Sequence, residues 1–368
     1  MELREYQKQA VKAVRDKLST ERCALVATCV GSGKSLIIAE LAKDYKRAVI
    51  VQPAQELVLQ NYRKLVDSGL NCTMIDSAHK GDWHADYIFT TPQTLSKHVD
   101  NLVEPDIIFA DEAQWGYVGK MWEKIRKTWH KCKLVGLTAT PRYYEQGVVY
   151  SGGWMYSVTT CKSLAADIFG NPVIEISRQK LREMGYGCDI KIERVNWIPQ
   201  INDMHVKNQT MYFSMVNRHI KELFELLHTI PNALIYCDGQ AHAELLNKQS
   251  NGAIHLLFGT TPKGERAQLI EDFLNNRVRF IATVGCGKIG LDLPNLTSII
   301  ILTNVGNPDL LEQMIGRLNR GTCKKTCYYN SRINTDTPLV GKSEWIKIKK
   351  IGGSNVRKNN KTAWFSPE

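Results

Sequence analysis

The 368-residue chain has no apolar run approaching the length of a bilayer span. Its opening, MELREYQKQA, has no apolar stretch behind its charges, so no secretory signal is expected. The expected compartment is therefore the cytosol or nucleoid, where the ten cysteines are read as free thiols. Cys323 and Cys327 have no second Cys or His pair close in sequence, whereas a structural zinc needs four ligands. His79, His84 and His98 do not form a helical ligand pair. Short-period repeats and low-complexity tracts are also missing.

Positive charge is what the chain has in excess. Lysine and arginine number 48 against 37 carboxylates, a net +11, with pI ≈ 9.1. Residues 321–368 alone hold ten cations and three carboxylates. A polyanion partner is the natural expectation, since neutralised phosphates release counterions; a solvated basic tail is the alternative. The hydrophobic fraction, 43%, is ordinary for a globular chain with real cores.

Strand-like segments are continuous rather than alternating in apolar character, as in a parallel sheet covered on both faces. They run over 24–28, 48–52, 87–91, 106–111 and 134–138, and the rhythm returns at 233–237, 253–258, 279–284 and 298–303. Helical stripes lie between, such as Ile220, Leu223, Phe224 and Leu227. The pattern predicts an α/β fold of two open units in series. The expected division is a first unit over 1–150, a connector over 151–212, a second unit over 213–330 and a basic appendage over 331–368.

Three motifs carry chemistry. Thr28-Cys-Val-Gly-Ser-Gly-Lys-Ser35 follows a strand and precedes a helix, the context of a phosphate loop. Val30, Gly31, Ser32 and Gly33 would cradle phosphates with backbone amides, Lys34 would reach the β- and γ-phosphates, and Ser35 would ligate Mg²⁺. Next, an apolar strand delivers Asp111 and Glu112 together at its C-terminal end, the ligand side of a parallel sheet. Asp111 suits the Mg²⁺ shell, and Glu112 suits a general base on the attacking water. Finally, Gln313, Arg317 and Arg320 stand at i, i+4 and i+7, which predicts one polar helical face opposite Leu311, Ile315 and Leu318. Gly316 is costly in a helix interior, so its presence suggests that something approaches closely there. Arginine suits a γ-phosphate, being planar and permanently charged.

With these motifs in this order the chain resembles a superfamily 2 helicase over roughly 1–330. The resemblance implies two tandem RecA-like domains with an ATP site in the cleft between them, with ATP and Mg²⁺ as ligands. Leu3-Arg-Glu-Tyr-Gln7 resembles the entry motif whose glutamine reads adenine, placing Arg4 and Gln7 at the base. Gln52-Pro-Ala-Gln-Glu-Leu57 and Thr90-Thr-Pro-Gln-Thr94 resemble motifs Ia and Ib, implying nucleic-acid backbone contacts at Gln52, Pro53, Thr91 and Thr94. The threonines are equally read as helix caps. Thr138-Ala-Thr-Pro-Arg142 resembles motif III, implying that Thr138 and Thr140, with Gln114, couple the ATP site to the strand. Thr283 to Asn295 resembles motif V, implying roles for Thr283 on nucleic acid and for Gly290 and Asp292 on nucleotide; Gln313 to Arg320 resembles motif VI. Phe169-Gly-Asn-Pro-Val-Ile-Glu-Ile-Ser177 is similar to the connector of the type-III-restriction-like, XPB and UvsW branch. UvsW-type phage proteins remodel branched DNA, so the resemblance implies DNA rather than RNA, without sequence preference, in the host cytoplasm if the chain is phage-encoded.

Other readings of the same residues are an RNA helicase of this architecture and an ATP-gated nucleic-acid clamp without strand separation. Trp115, Trp122 and Trp129, spaced by seven, read as a packing stripe before base platforms. Trp364 and Phe365, beside Lys361, read as a mobile tail or as a stacking element.

Overall fold

The computed structural model describes residues 2–53, 55–66, 69, 71–114, 119–151, 154–164, 168–195, 220–284, 291, 293–303, 305, 308–319, 324–330, 345–353 and 362–365. Among these, two parallel sheets and one antiparallel sheet are present.

The first sheet is built from β1 (Cys23–Thr28), β2 (Ala48–Val51), β3 (Cys72–Ile75), β4 (Tyr87–Thr90), β5 (Ile107–Asp111), β6 (Lys133–Thr138) and β9 (Ile174–Ile176). Its order is β3-β4-β2-β5-β6-β1-β9, with every neighbouring pair parallel. The helices of this region are α1 (Glu5–Thr20), α2 (Lys34–Ala42), α3 (Gln55–Val66), α4 (Pro92–His98) and α5 (Lys120–Thr128). Consecutive strand residues enter different cores. Val26, Ile50, Phe109 and Val135 pack with α1 and α2 through Val14, Ile37 and Leu41. Leu25, Val49, Ile108 and Leu134 pack instead with Leu95, Trp122, Ile125 and Trp129. Coverage on both faces is why these strands carry no polar alternation. It also assigns Trp122 and Trp129 to packing; Trp115 lies outside the described residues.

The second sheet, in the order β10-β15-β14-β11-β13-β12, is also parallel throughout. Its strands are β10 (Ile190–Val195), β11 (Ala233–Tyr236), β12 (Ile254–Leu257), β13 (Phe280–Thr283), β14 (Ser298–Ile301) and β15 (Lys325–Asn330). After α6 (Arg178–Glu183) come α7 (Ile220–Thr229), α8 (Gln240–Gln249), α9 (Lys263–Leu274) and α10 (Pro308–Gly316). Leu234, Ile299 and Ile301 face one core with α10, while Ile235 and Ile300 face the other with α7 and α8.

The stretch expected as a connector supplies strands to all three sheets. β9 edges the first and β10 edges the second. The hairpin β7 (Arg142–Ser151) and β8 (Trp154–Ser163) joins β16 (Trp345–Gly353) and β17 (Thr362–Phe365) in an antiparallel sheet ordered β17-β16-β8-β7. Short strands with mixed polarity, such as Ile190–Val195 at a sheet edge, leave little periodic signal.

Gly136 in β6 lies under the Phe169 ring, and a Cβ there would come within 2.6 Å of it. Phe169 is fully buried, so the ring has no room to retreat. Gly136→Ala is expected to destabilise the first unit by about 1–3 kcal/mol through overpacking, read as an earlier first transition in thermal melting.

Candidate nucleotide site and interdomain contact

The C-terminal ends of β1, β2, β5 and β6 converge because these strands are neighbours in the sheet. β1 runs into the loop Cys29–Gly33. Gly31 and Gly33 adopt left-handed φ of 85° and 77°, a conformation that suits glycine. Gly33 is the N-cap of α2, where no side chain caps the helix and no acid sits in the first turn. The free amides and positive end of the helix dipole therefore face the loop. Among the described residues the buried hydroxyls of Thr28 and Ser32 have no hydrogen-bond partner, in keeping with a loop shaped around an oxygen-rich ligand. These features fit a polyphosphate.

Lys34 forms a 2.8 Å ion pair with Glu112. Burial opposes charge on both groups, yet their mutual attraction, with a bond from Gln114, holds Glu112 below the ordinary carboxylate range and Lys34 above the ordinary ammonium range. Asp111 is the reverse case. Burial and the neighbouring Glu112 raise it, although Lys34 and Gln52 pull the other way. A divalent cation would relieve that cost, so the carboxylate suits a metal ligand. Asp111 Oδ2 accepts from Gln52 (2.9 Å) and Asn61 (3.1 Å), and the Ser35 hydroxyl donates to Asn61 (2.7 Å). The two side chains expected at Mg²⁺ thus meet through one asparagine.

From Glu112 a relay continues outward. Gln114 donates to Glu112 at 2.7 Å, and the Thr138 hydroxyl donates to Gln114 at 2.5 Å. The Thr140 amide donates back to Thr138 at 2.9 Å. The structure therefore joins Lys34, Glu112, Gln114, Thr138 and Thr140 in one hydrogen-bonded chain. Glu112 itself sits at φ 49°, a left-handed conformation uncommon outside glycine.

Gln7 is buried. Its Nε2 donates to the Ser32 carbonyl (2.9 Å) and its Oε1 accepts from the Arg4 amide (2.9 Å); the Tyr6 hydroxyl donates to the same carbonyl (2.7 Å). The entry motif thus clamps the phosphate loop from behind. Arg4 is exposed and lies 4.6 Å over the Tyr186 ring, which in turn packs on Tyr6 at 5.5 Å.

The second unit reaches the same loop. Asn319 donates to the Val30 carbonyl (3.2 Å) and lies 3.6 Å from the Cys29 sulfur, while its Oδ1 accepts from the Cys188 amide. Gly316 lies against Val30, where a Cβ would come within 2.7 Å of the valine Cβ. The close approach suggested by that glycine is thus to the phosphate loop itself. Arg142 pairs with the buried Asp309 at 2.5 Å and Arg178 with Glu312 at 3.2 Å.

The other residues expected at nucleotide or nucleic acid take the following places. The helix that carries Gln313 stops short of Arg317. α10 ends at Gly316, and the bonds from Arg317, Leu318 and Asn319 to Met314, Ile315 and Gly316 tighten the chain into i→i+3 turns. Arg317 leaves the helix, donates to the Leu291 carbonyl (2.9 Å), and still lowers Glu112 by its charge. Gln313 is on α10 and half-buried. Gln52 is fully buried against Asp111 rather than open to a strand, and Pro53 follows it, half-buried. Thr91 caps α4, accepting from the Thr94 amide at 3.3 Å. Thr283 is buried at the end of β13. Arg320, Gly290 and Asp292 lie outside the described residues. Asn61 and Asn319 were not anticipated; their one signal is a polar residue amid the apolar pattern of a core-facing segment.

The family of type III restriction enzyme res subunits matches residues 1–143, and the helicase conserved C-terminal domain matches residues 215–322. The two domains in this order support a superfamily 2 helicase of the type-III-restriction-like branch. Its two parallel sheets are the tandem RecA-like domains of that group. This helicase-family chain is 23% identical over 308 residues to a 51.5 kDa protein of Lactococcus phage (isolate 7-9), covering 80% of this chain and 62% of that one. Its fold is similar to the ATP-dependent type ISP restriction-modification enzyme LlaBIII bound to DNA, with TM-score 0.68, 16% identity, and coverage of 93% of this chain and 28% of that chain. It is also similar to S. cerevisiae Dbp5 bound to RNA and ADP BeF3, with TM-score 0.60, 16% identity, and coverage of 89% and 84%. The chain thus spans under two thirds of the phage relative and about a quarter of LlaBIII. Among the described residues no helix is long and apolar enough to cross a membrane.

Proposed function

We propose that the chain is a nucleic-acid-stimulated ATPase of the helicase type, acting as a translocase or remodeller of branched or duplex DNA. The observation that carries this reading is the unbroken chain of bonds from Lys34 through Glu112 and Gln114 to Thr138 and Thr140, with Asn319 and Gly316 of the second unit closed on the loop that precedes Lys34. Such an arrangement ties nucleotide state to the relation of two domains.

In this reading residues 1–150 form the nucleotide-binding domain and 213–330 the domain that closes on it. Loop amides from Val30 to Gly33 and the Lys34 ammonium hold the phosphates. Lys34 must then leave Glu112, whose freed carboxylate takes a proton from the attacking water as the terminal phosphate departs from ADP. Ser35 and Asp111 would hold Mg²⁺, which would supply charge neutralisation on the phosphate oxygens. Arg317 and Arg320 stabilise charge developing on the phosphate. Arg4 and Gln7 would meet the adenine base, with the Tyr186 ring under Arg4. DNA is favoured over RNA by the restriction-type branch of the family and by the DNA-bound restriction enzyme among similar folds.

The test is the steady-state ATPase rate with no polymer, single-stranded DNA, duplex DNA, a model fork and RNA. Stimulation on the order of tenfold by DNA, as expected for a coupling of ~1–3 kcal/mol, supports the proposal and ranks substrates. Larger stimulation by RNA moves the assignment to an RNA motor. A rate indifferent to every polymer overturns it. Stimulated turnover with no strand displacement would define a clamp or translocase instead of an unwinding enzyme.

A further inference from the structure

The antiparallel sheet is built from segments far apart in sequence and belongs to neither parallel core. Its hairpin leaves β6 directly through Thr138-Ala-Thr-Pro. It returns at Leu164, whose amide donates to the Pro141 carbonyl (3.1 Å) and whose side chain is fully buried in the first unit. β16 pairs antiparallel with β8 from Trp345 opposite Cys161 to Gly353 opposite Trp154, and β17 pairs with β16. Between 345 and 365 the sequence holds six cations and no carboxylate.

The register sorts these residues by face. Residues directly opposed in a ladder share a face, and successive residues alternate between faces. Lys347 is opposed by Thr159 in β8 and Trp364 in β17, and Lys349 by Ser157 and Thr362. Thr159 is opposed in turn by Gln146 of β7. Ile346 is opposed by Phe365, and Ile348 by Ala363 and Val158. One face thus carries Lys347 and Lys349 with Ser157, Thr159, Gln146, Thr362 and Trp364, beside Val148 and Cys161, while the other carries Ile346, Ile348, Val158, Ala363 and Phe365 with Lys350, Thr160 and Glu145. Cations at a two-residue strand spacing (roughly 6.5 Å) together with an aromatic residue are the chemistry that tracks a flexible phosphate backbone and stacks on bases.

We propose that this sheet is a second nucleic-acid-binding surface, gripping a single strand through Lys347 and Lys349 with Trp364 as the stacking residue. The proposal rests on the nucleic-acid reading above and deepens it. The hairpin is continuous with the segment holding Thr138 and Thr140, so a strand held on the sheet pulls directly on the relay to Glu112.

The test uses the full chain and fluorescein-labelled oligo(dT), titrated by anisotropy across a salt series without nucleotide. Losing two phosphate contacts in Lys347→Ala/Lys349→Ala should flatten the slope of log affinity against log salt by about 1.4, at ~0.7 per contact for single strands. Arginine at both positions should restore the slope. Trp364→Ala should weaken binding by roughly 5–100-fold, the range of one lost stacking contact, with the slope kept. Lys350→Ala removes the same charge from the opposite face, where Lys350 is opposed by Tyr156, and should change neither quantity. Melting temperatures matching the parent show that the variants fold. A parent that binds oligo(dT) while the double variant keeps its slope and affinity overturns the sheet proposal alone and leaves the lysine face to an acidic protein partner. The same holds if Lys350→Ala flattens the slope equally. A parent that binds no strand, and whose ATPase ignores every polymer, overturns both readings.

Discussion

Glu112→Gln is expected to lower ATP turnover by roughly 10²–10⁴-fold, the usual contribution of a positioned general base, while leaving nucleotide binding intact or tighter. The carboxylate lies at the end of β5 beside Asp111 and is held in its charged form by Lys34. A glutamine keeps the side-chain shape and still accepts from Gln114, so the relay to Thr138 survives. What it loses is the ability to take a proton. It also loses the charge that holds Lys34, so the ammonium becomes more available to phosphate. Single-turnover hydrolysis and equilibrium binding of a fluorescent ATP analogue separate the two effects. Glu112→Ala, by contrast, also breaks the Gln114 bond. It should lose turnover and, in addition, any dependence of nucleotide affinity on nucleic acid. Turnover at the parent rate in Glu112→Gln would remove the base from the mechanism.

Legibility in the sequence followed burial. Strands covered on both faces, such as Ile107–Asp111 and Ser298–Ile301, are continuous apolar runs and were readable to within a residue or two. So were the places of the loop Thr28–Ser35 and of the acidic pair, because both stand at fixed offsets from the end of such a strand. Edge strands were not, since Ile190–Val195 alternates polar and apolar residues over one short stretch inside a region of poor periodicity. β16 and β17 depend on pairing with a hairpin nearly 200 residues away, and no local signal reports such a contact. Within the site, Lys34, Asp111 and Glu112 could be named in advance, but their partners could not. Asn61 and Asn319 act through tertiary position. Gln52 spends its side chain on Asp111, whereas Thr91 takes the helix-cap place that is one of its two readings in sequence. The end of α10 shows the same limit. The spacing of Gln313, Arg317 and Arg320 fits a helix, but the chain tightens after Gly316 so that Asn319 can reach Val30.

That glycine carries the second large effect. Gly316→Ala leaves the body of α10 untouched, since Gly316 is its last residue, outside the interior where alanine exceeds glycine by about 1 kcal/mol. The added methyl nevertheless meets Val30 Cβ at 2.7 Å, closer than side-chain carbons tolerate. Val30 belongs to the phosphate loop and is held by Asn319, so neither partner can move without moving the loop or parting the two units. Nucleotide should bind nearly as in the parent, because Lys34, Ser35, Asp111 and Gln7 all lie in the first unit. Turnover stimulated by nucleic acid should fall by on the order of 10²-fold, the cost of misplacing catalytic groups by about 1 Å. The expected signature is therefore near-normal nucleotide affinity and a collapsed maximal rate, with a melting temperature no higher than the parent's because the contact is overpacked. Asn319→Ala should move the same quantities in the same direction without any helix effect, since it removes the bond to the loop instead of adding bulk. Full activity in both variants would mean that the contact between Val30 and the end of α10 plays no part in turnover. Loss in Gly316→Ala alone would place the effect in sterics at the loop and not in the Asn319 bond.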